Sequence, residues 1–222
     1  MGGTLATVVP GRPCLTSGYM RNVPLWGLAS SAMAPLLLFG GWTEAARLQP
    51  LPFDPVTDTV SALAAVGTPD RWVMTLTFLL VAACDIVTAA ALRPAGTAGR
   101  LILVAAAVAG ILVALNPVHG GGSVAHAIWA STGFAGLALW PAGAWRRGPG
   151  VPWGLRPAVC AVVVVVLAGL AAWFGIEVVT AAGQAGLAER LAGLAQAAWP
   201  LAVVLSCLLP AEAVSGTTAY AR

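Results

Sequence analysis

Charge is what this sequence lacks. Lysine is absent, all 11 basic residues are arginine, and only 9% of the 222 residues are charged, against about a quarter in an ordinary soluble domain. With 59% of its residues hydrophobic, the chain belongs in lipid. The formal net charge is +3, and no stretch clusters arginines with aromatics as a nucleic-acid surface would; nucleic acid is excluded as a partner. There is no GxSxG elbow, no Walker loop, no dinucleotide fingerprint and no acidic diphosphate-binding motif. The four cysteines, Cys14, Cys84, Cys160 and Cys207, form no CxxC pair, so they are expected to be reduced and structural. The N-terminus lacks the charged start, short apolar run and small-residue site of a signal peptide. Insertion is therefore expected to rely on the first apolar span.

What is present is a series of six apolar runs, each near the length of about 20 residues that crosses a hydrocarbon core. They fall at about 24–42, 72–92, 101–115, 123–145, 157–179 and 188–209. The expected fold is all-α: a polytopic six-helix bundle forming a single membrane domain over 24–209, with tails 1–23 and 210–222. Trp26 and Trp42 flank the first run, where indoles prefer the headgroup level. Pro35 is expected to kink that helix and Pro200 to interrupt the sixth.

The longest polar connection, 43–71, carries its own signals. Asp58 suits the N-cap of a short helix from Thr59 to Val66, with Gly67 as its stop. Val60, Leu63 and Ala64 form an apolar stripe, which suggests an interfacial or re-entrant helix lying on the bundle. Thr68, Pro69 and Asp70 then read as cap, first-turn proline and first-turn acid of the second span. Ser123 can cap the fourth.

Orientation follows from the arginines. With both termini cytoplasmic, Arg12, Arg21, Arg93, Arg100, Arg146, Arg147, Arg156 and Arg222 lie inside and Arg47, Arg71 and Arg190 outside, as the positive-inside rule asks. The first loop, the histidine stretch NPVHGGGSVAHAIW (116–129) and the loop 180–187 then meet on the outer face.

That face gathers Asp54, Asp58, Ser61, His119, His126, Glu177, Glu189 and Arg190. His126 and Trp129, three residues apart, share a helix face, as do Trp173 and Glu177, four apart; each pair sets an indole beside a proton-exchanging group. The simplest reading of His119, Glu177 and Glu189 is that they are solvated or hydrogen-bonded at the interface, and of the tryptophans that they form an aromatic belt. Gly120 to Gly122 permit a tight turn, and their backbone N–H groups could bind an anion. Asp85 is the one acid well inside an apolar run, about 20 Å below the outer end at the helical rise. It is expected to stay apart from the outer cluster, either hydrogen-bonded to Thr88 or Gln196 or serving as a proton site. Two histidines with one or two carboxylates would satisfy zinc, but their spacing is not that of HExxH, and no metal or other cofactor is expected.

DPVTDTVSALAAVGTPDRW after the first span, the proline and histidines after the third, and GLAERLAGLAQAAW opening the sixth resemble the bacterial integral-membrane family known as domain of unknown function 998. The resemblance runs from about Leu25 to Leu209. Its most telling part is Asp58-x-x-Ser61-x-Leu63 followed by Gly67, Pro69 and Trp72. Many members have an acid where this chain has Ala62. The resemblance implies a six-helix membrane fold in the bacterial plasma membrane and no particular activity.

Three functions are open. One is acid–base catalysis on a lipophilic substrate, in particular protonation-initiated cyclisation of an isoprenoid. A carboxyl group in an apolar site can stay protonated and act as the acid. Asp58, Glu177 and Asp85 are the candidate acids, His126 the base, Trp129 and Trp173 the cation stabilisers, and Ser61 and His119 further substrate contacts. A second is lipid hydrolysis through zinc or a Ser61–His126 pair. A third is non-catalytic binding or transport of a lipid or small molecule. In each the partner is lipophilic.

Overall fold

The computed structural model describes residues 23–119 and 122–209. Residues 1–22 and 210–222, which hold most of the N-terminal tail, the C-terminal tail, Cys14, Arg12, Arg21 and Arg222, lie outside the described residues, as do Gly120 and Gly121.

The apolar runs form α1 (Leu25–Arg47), α2 (Arg71–Ala91), α3 (Thr97–Leu115), α4 (Val124–Ala144), α5 (Pro157–Thr180) and α6 (Ala185–Leu208). No strand occurs among the described residues. A backbone surrounded by lipid must satisfy its polar groups within the segment, and the helix does this. Boundaries follow local chemistry where the sequence offers it. Ser123 accepts a hydrogen bond from the His126 amide at the start of α4, and Pro157 occupies the first turn of α5. α1 runs on to Arg47, about a turn beyond the apolar run, and the α1, α4 and α6 helices continue through Pro35, Pro141 and Pro200.

Five of the six helices are long and apolar enough to cross a membrane; α4 is not among the five. Its glycines, Ser131, Thr132 and His126 dilute an otherwise apolar sequence.

Each helix packs against its neighbours in the chain, and α6 returns to α1, which closes a ring. One end carries the loops 48–70 and 181–184 and the described residues 116–119 and 122–123, and is called the histidine end. There the Val66 amide donates to Val118 and the Leu187 amide to Val56, which ties the first loop to the histidine loop and to the start of α6. The opposite, arginine end carries Arg93, Arg100, Arg146, Arg147 and Arg156. Arg100 donates to the Ala89 carbonyl, one of those that the C-terminus of α2 leaves free, and Arg146 donates to the loop carbonyls of Pro94 and Ala95.

Two apolar clusters hold the bundle. One, at the arginine end, centres on Trp140, Leu92, Leu103 and Leu155; the other, at the histidine end, on Leu38, Trp42, Leu63 and Met74. Trp42 is buried in the second cluster and is no belt residue. Small residues set the closest helix approach. A Cβ on Gly99 of α3 would lie 2.5 Å from Ala144 Cα and still nearer its amide nitrogen, so α3 and α4 touch through backbone, as in other membrane helix pairs. Gly99→Ala is expected to cost about 1–3 kcal/mol by overpacking. Thermal unfolding in detergent checks this, and a midpoint equal to wild type would show that α3 and α4 can part freely.

Candidate functional site

The first loop does not form the expected helix over Thr59–Val66. It makes a single 3-10 turn, Ser61–Ala64, with Val60, Leu63 and Ala64 buried as their stripe requires. Gly67 takes a positive φ of 91° after it. Asp58 is not its cap. The Asp58 carboxylate turns back and accepts from the Asp54 amide at 2.9 Å, while Asp54 accepts from the Val56 amide at 2.8 Å. The two acids thus fold their own loop, because a nearby amide is the cheaper partner. The second span departs from expectation as well. Thr68 donates to the Ala62 carbonyl, and Asp70 occupies the N-cap position of α2 with a positive φ and no side-chain cap.

The amides of Val60 and Ser61, which open the turn, are satisfied from across the chain, whereas the Ala62 amide donates to Thr59 Oγ1. Glu189, in the first turns of α6, accepts from the Val60 amide, from the Ser61 amide at 3.3 Å and from Ser61 Oγ at 2.6 Å. The carboxylate is buried, and three donors compensate the loss of water. Beside it, the Arg190 guanidinium donates to the carbonyls of Pro55, Asp58 and Gly186, each at 2.9 Å. It lies over Phe53 and Trp42, at 5.3 and 5.9 Å from the ring centres. Consecutive residues of α6 therefore clamp the first loop onto the bundle.

His126 is 8% exposed, and its Nδ1 lies 3.0 Å from the Asn116 carbonyl oxygen. A carbonyl only accepts, so Nδ1 carries the proton and the neutral ring leaves Nε2 as an acceptor. His119 is exposed in the loop.

Two hollows adjoin these groups. A groove of about 590 Å³ runs between α4 and α5, within the size range of small-molecule sites. Thr59, Ser61 and His126 form its polar end, Ser131 lies further along, and Phe134, Phe174 and Leu139 contribute to its apolar walls. The Phe134 and Phe174 rings are 5.2 Å apart. A second, smaller hollow of about 130 Å³, no more enclosed than the groove, is lined by Ser61, Glu189, Gln196 and Asp85 among apolar side chains. Ser61, Ala130 and Phe134 line both.

The expected site is therefore only partly assembled. Ser61 and His126 share the groove. Asp58, Glu177, Trp129, Trp173 and His119 do not line it. Trp173 and Glu177 do share a helix face, with the indole Nε1 donating to the carboxylate at 3.1 Å. The other Glu177 oxygen accepts from the Gln184 amide, next to the start of α6, so this pair closes the α5–α6 turn. Asp85 lies deep in α2, but it lines the same hollow as Ser61 and Glu189, which extends toward the histidine end. Thr88 bonds to Ser30 instead of Asp85. Among the described residues no three His, Cys, Asp or Glu side chains come together in a metal-binding group. Thr59, Phe134 and Phe174 were not expected as site residues, and Glu189, gathered with the outer-face groups and expected to be hydrogen-bonded there, was given no catalytic role. Glu189, Gly193 and Gln196 fall at i, i+4 and i+7, a stripe that marks one helix face, and this was the available signal.

A family model described as a protein of unknown function, DUF998, matches residues 32–206, most of the chain. The comparisons with curated proteins and with solved structures gave no match.

Proposed function

The chain belongs to the family of proteins of unknown function designated DUF998, and we propose that it binds a lipophilic molecule with a polar end in the α4–α5 groove and presents His126 to that end for acid–base chemistry. The observation that carries this reading is the polarity gradient of the groove. Its walls are Ala, Phe, Leu, Val and Gly175, and of its polar side chains Thr59, Ser61 and His126 gather at one end, with Ser131 alone further along. With Nδ1 held by the Asn116 carbonyl, His126 offers Nε2 as a positioned proton acceptor.

The specific reaction that suits such a site is protonation-initiated cyclisation of an isoprenoid. Phe134 and Phe174 take the place expected for the tryptophans, with ring faces able to stabilise a developing cation. Of the three expected acids, Asp85 is the one that lines a cavity, and that cavity shares Ser61 and Phe134 with the groove. Non-catalytic binding is the second reading; it is favoured by Glu177 and Glu189 being engaged as caps. Hydrolysis by a Ser61–His126 pair draws less support, because Ser61 Oγ donates to Glu189 and a serine nucleophile needs its proton directed to the base. We place all six helices across the bacterial plasma membrane with the arginine end cytoplasmic, on the distribution of arginines between the two ends.

Gly175→Leu tests occupancy. Gly175 lines the groove, and a Cβ there meets nothing within 4 Å, so the leucine side chain should block the groove without straining the helix. Lipophilic molecules that co-purify with the wild-type protein, measured by mass spectrometry of extracts, are expected to fall about tenfold in this variant, the loss of roughly 1.4 kcal/mol of binding. Equal retention by both proteins would refute the groove as the site.

A further inference from the structure

The polar end of the α4–α5 groove has a definite hydrogen-bond polarity. His126 Nδ1 is taken by the Asn116 carbonyl, which leaves Nε2 with its lone pair. That nitrogen has no partner among the described residues, yet it is not one of the buried polar atoms left without one. It is therefore open, on a side chain that lines the groove. Ser61 commits its proton to Glu189 Oε1 at 2.6 Å, so toward the groove its oxygen can only accept. Thr59 is the converse. Its Oγ1 accepts from the Ala62 amide at 3.2 Å, and no acceptor among the described residues takes its proton. The groove thus offers acceptors at His126 Nε2 and Ser61 Oγ and a donor at Thr59 Oγ1.

Charge is missing from the same wall. The chain has no lysine, and among the described residues none of the arginines or acids lines the groove. Arg190 in the neighbouring clamp donates to the carbonyls of Pro55, Asp58 and Gly186, and Glu189 is held by Val60 and Ser61. A phosphate or carboxylate head would enter among apolar side chains with no cation to pair with, and an ammonium head with no anion. Neither regains what it loses with its water. An ester, epoxide or aldehyde head is neutral but can only accept, so it would cover Nε2 and leave it unpaired. A hydroxyl is neutral and both donates and accepts.

We propose that the lipophile of the groove is a neutral alcohol, its O–H donating to His126 Nε2 and its oxygen accepting from Thr59 Oγ1. This rests on the groove being the binding site and deepens that reading by naming the head group. A prenyl substrate then carries a hydroxyl at this end, apart from the epoxide at which cyclisation would begin. The preference holds whether or not the ligand goes on to react.

A prenyl alcohol, the aldehyde of the same carbon chain and the phosphate ester of the alcohol test the head group. Binding of each, radiolabelled, is measured on the full chain in lipid nanodiscs against empty nanodiscs; the chain has no lysine for the aldehyde to condense with. The alcohol is expected to bind about tenfold more tightly than the aldehyde, which keeps the oxygen but not its proton. The phosphate is expected to show no protein-dependent binding. In His126→Ala, with helical circular dichroism retained, alcohol and aldehyde should differ by less than about twofold, because the acceptor that tells them apart is gone. Equal affinity of the wild type for alcohol and aldehyde would overturn the proposal, as would tighter binding of the phosphate or an undiminished preference in His126→Ala. If the wild type does not distinguish alcohol from aldehyde while Gly175→Leu loses both, the groove stands and only the hydroxyl head falls. If Gly175→Leu binds both as the wild type does, the groove itself falls. Failure of the wild type to bind the alcohol would also overturn the proposal, and the co-purifying lipophile would still decide the groove.

Discussion

Glu189→Ala is expected to lower the stability of the protein by about 3–5 kcal/mol, the scale of removing one member of a buried charged hydrogen-bond set. The effect is large because the loss is not one bond. The Val60 amide, the Ser61 amide and Ser61 Oγ all donate to this carboxylate, and each buried donor left alone costs about 1–3 kcal/mol. The 3-10 turn they belong to carries Leu63 and Ala64 into the histidine-end cluster, so releasing the turn also loosens the packing of Trp42 and Met74. Glu189→Gln should lie between wild type and alanine, since one amide oxygen can still accept while its NH2 group faces donors. Unfolding midpoints in detergent and proteolysis within residues 48–60 report the two effects separately. Wild-type midpoints in both variants would mean that the turn is held by its apolar stripe alone.

The second large effect is catalytic. In membranes containing this protein, conversion of an epoxidised prenyl chain without added magnesium is the expected activity. His126→Ala should reduce it by about 10²–10⁴-fold, the usual contribution of a positioned acid–base group. His119→Ala is the control: His119 is exposed and lines neither hollow, so its rate should stay within about twofold of wild type, as for a surface change away from the site. A His126→Ala protein that turns over at the wild-type rate would remove the assigned base. If wild-type membranes convert nothing while Gly175→Leu still sheds its lipophile, the non-catalytic binding reading stands in place of the enzyme.

The fold was legible because its determinants are local. Apolar runs of membrane length must become helices whoever their neighbours are, and their ends were read to within about a turn and a half. Ser123 capping α4, the buried stripe Val60, Leu63 and Ala64, and the shared face of Trp173 and Glu177 all depend on residues a few positions apart, and all three are present. The meeting of three loops at one end followed from simple alternation of helices.

The site was less legible because it depends on choices among distant partners. Asp58 was expected to cap the turn beside it, but its carboxylate takes the Asp54 amide and the cap comes from Glu189, more than a hundred residues later. Trp42, expected at the headgroups, is buried under Arg190. By itself the sequence determined that this chain is a bundle of membrane-length helices with its two histidines at one end. Only the tertiary structure decided which carboxylate satisfies which amide, that the groove opens between α4 and α5, and that Asp85 and Glu189 share a cavity. Helix formation needs only hydrogen bonds four residues apart, whereas these features depend on how helices far apart in sequence are turned toward one another.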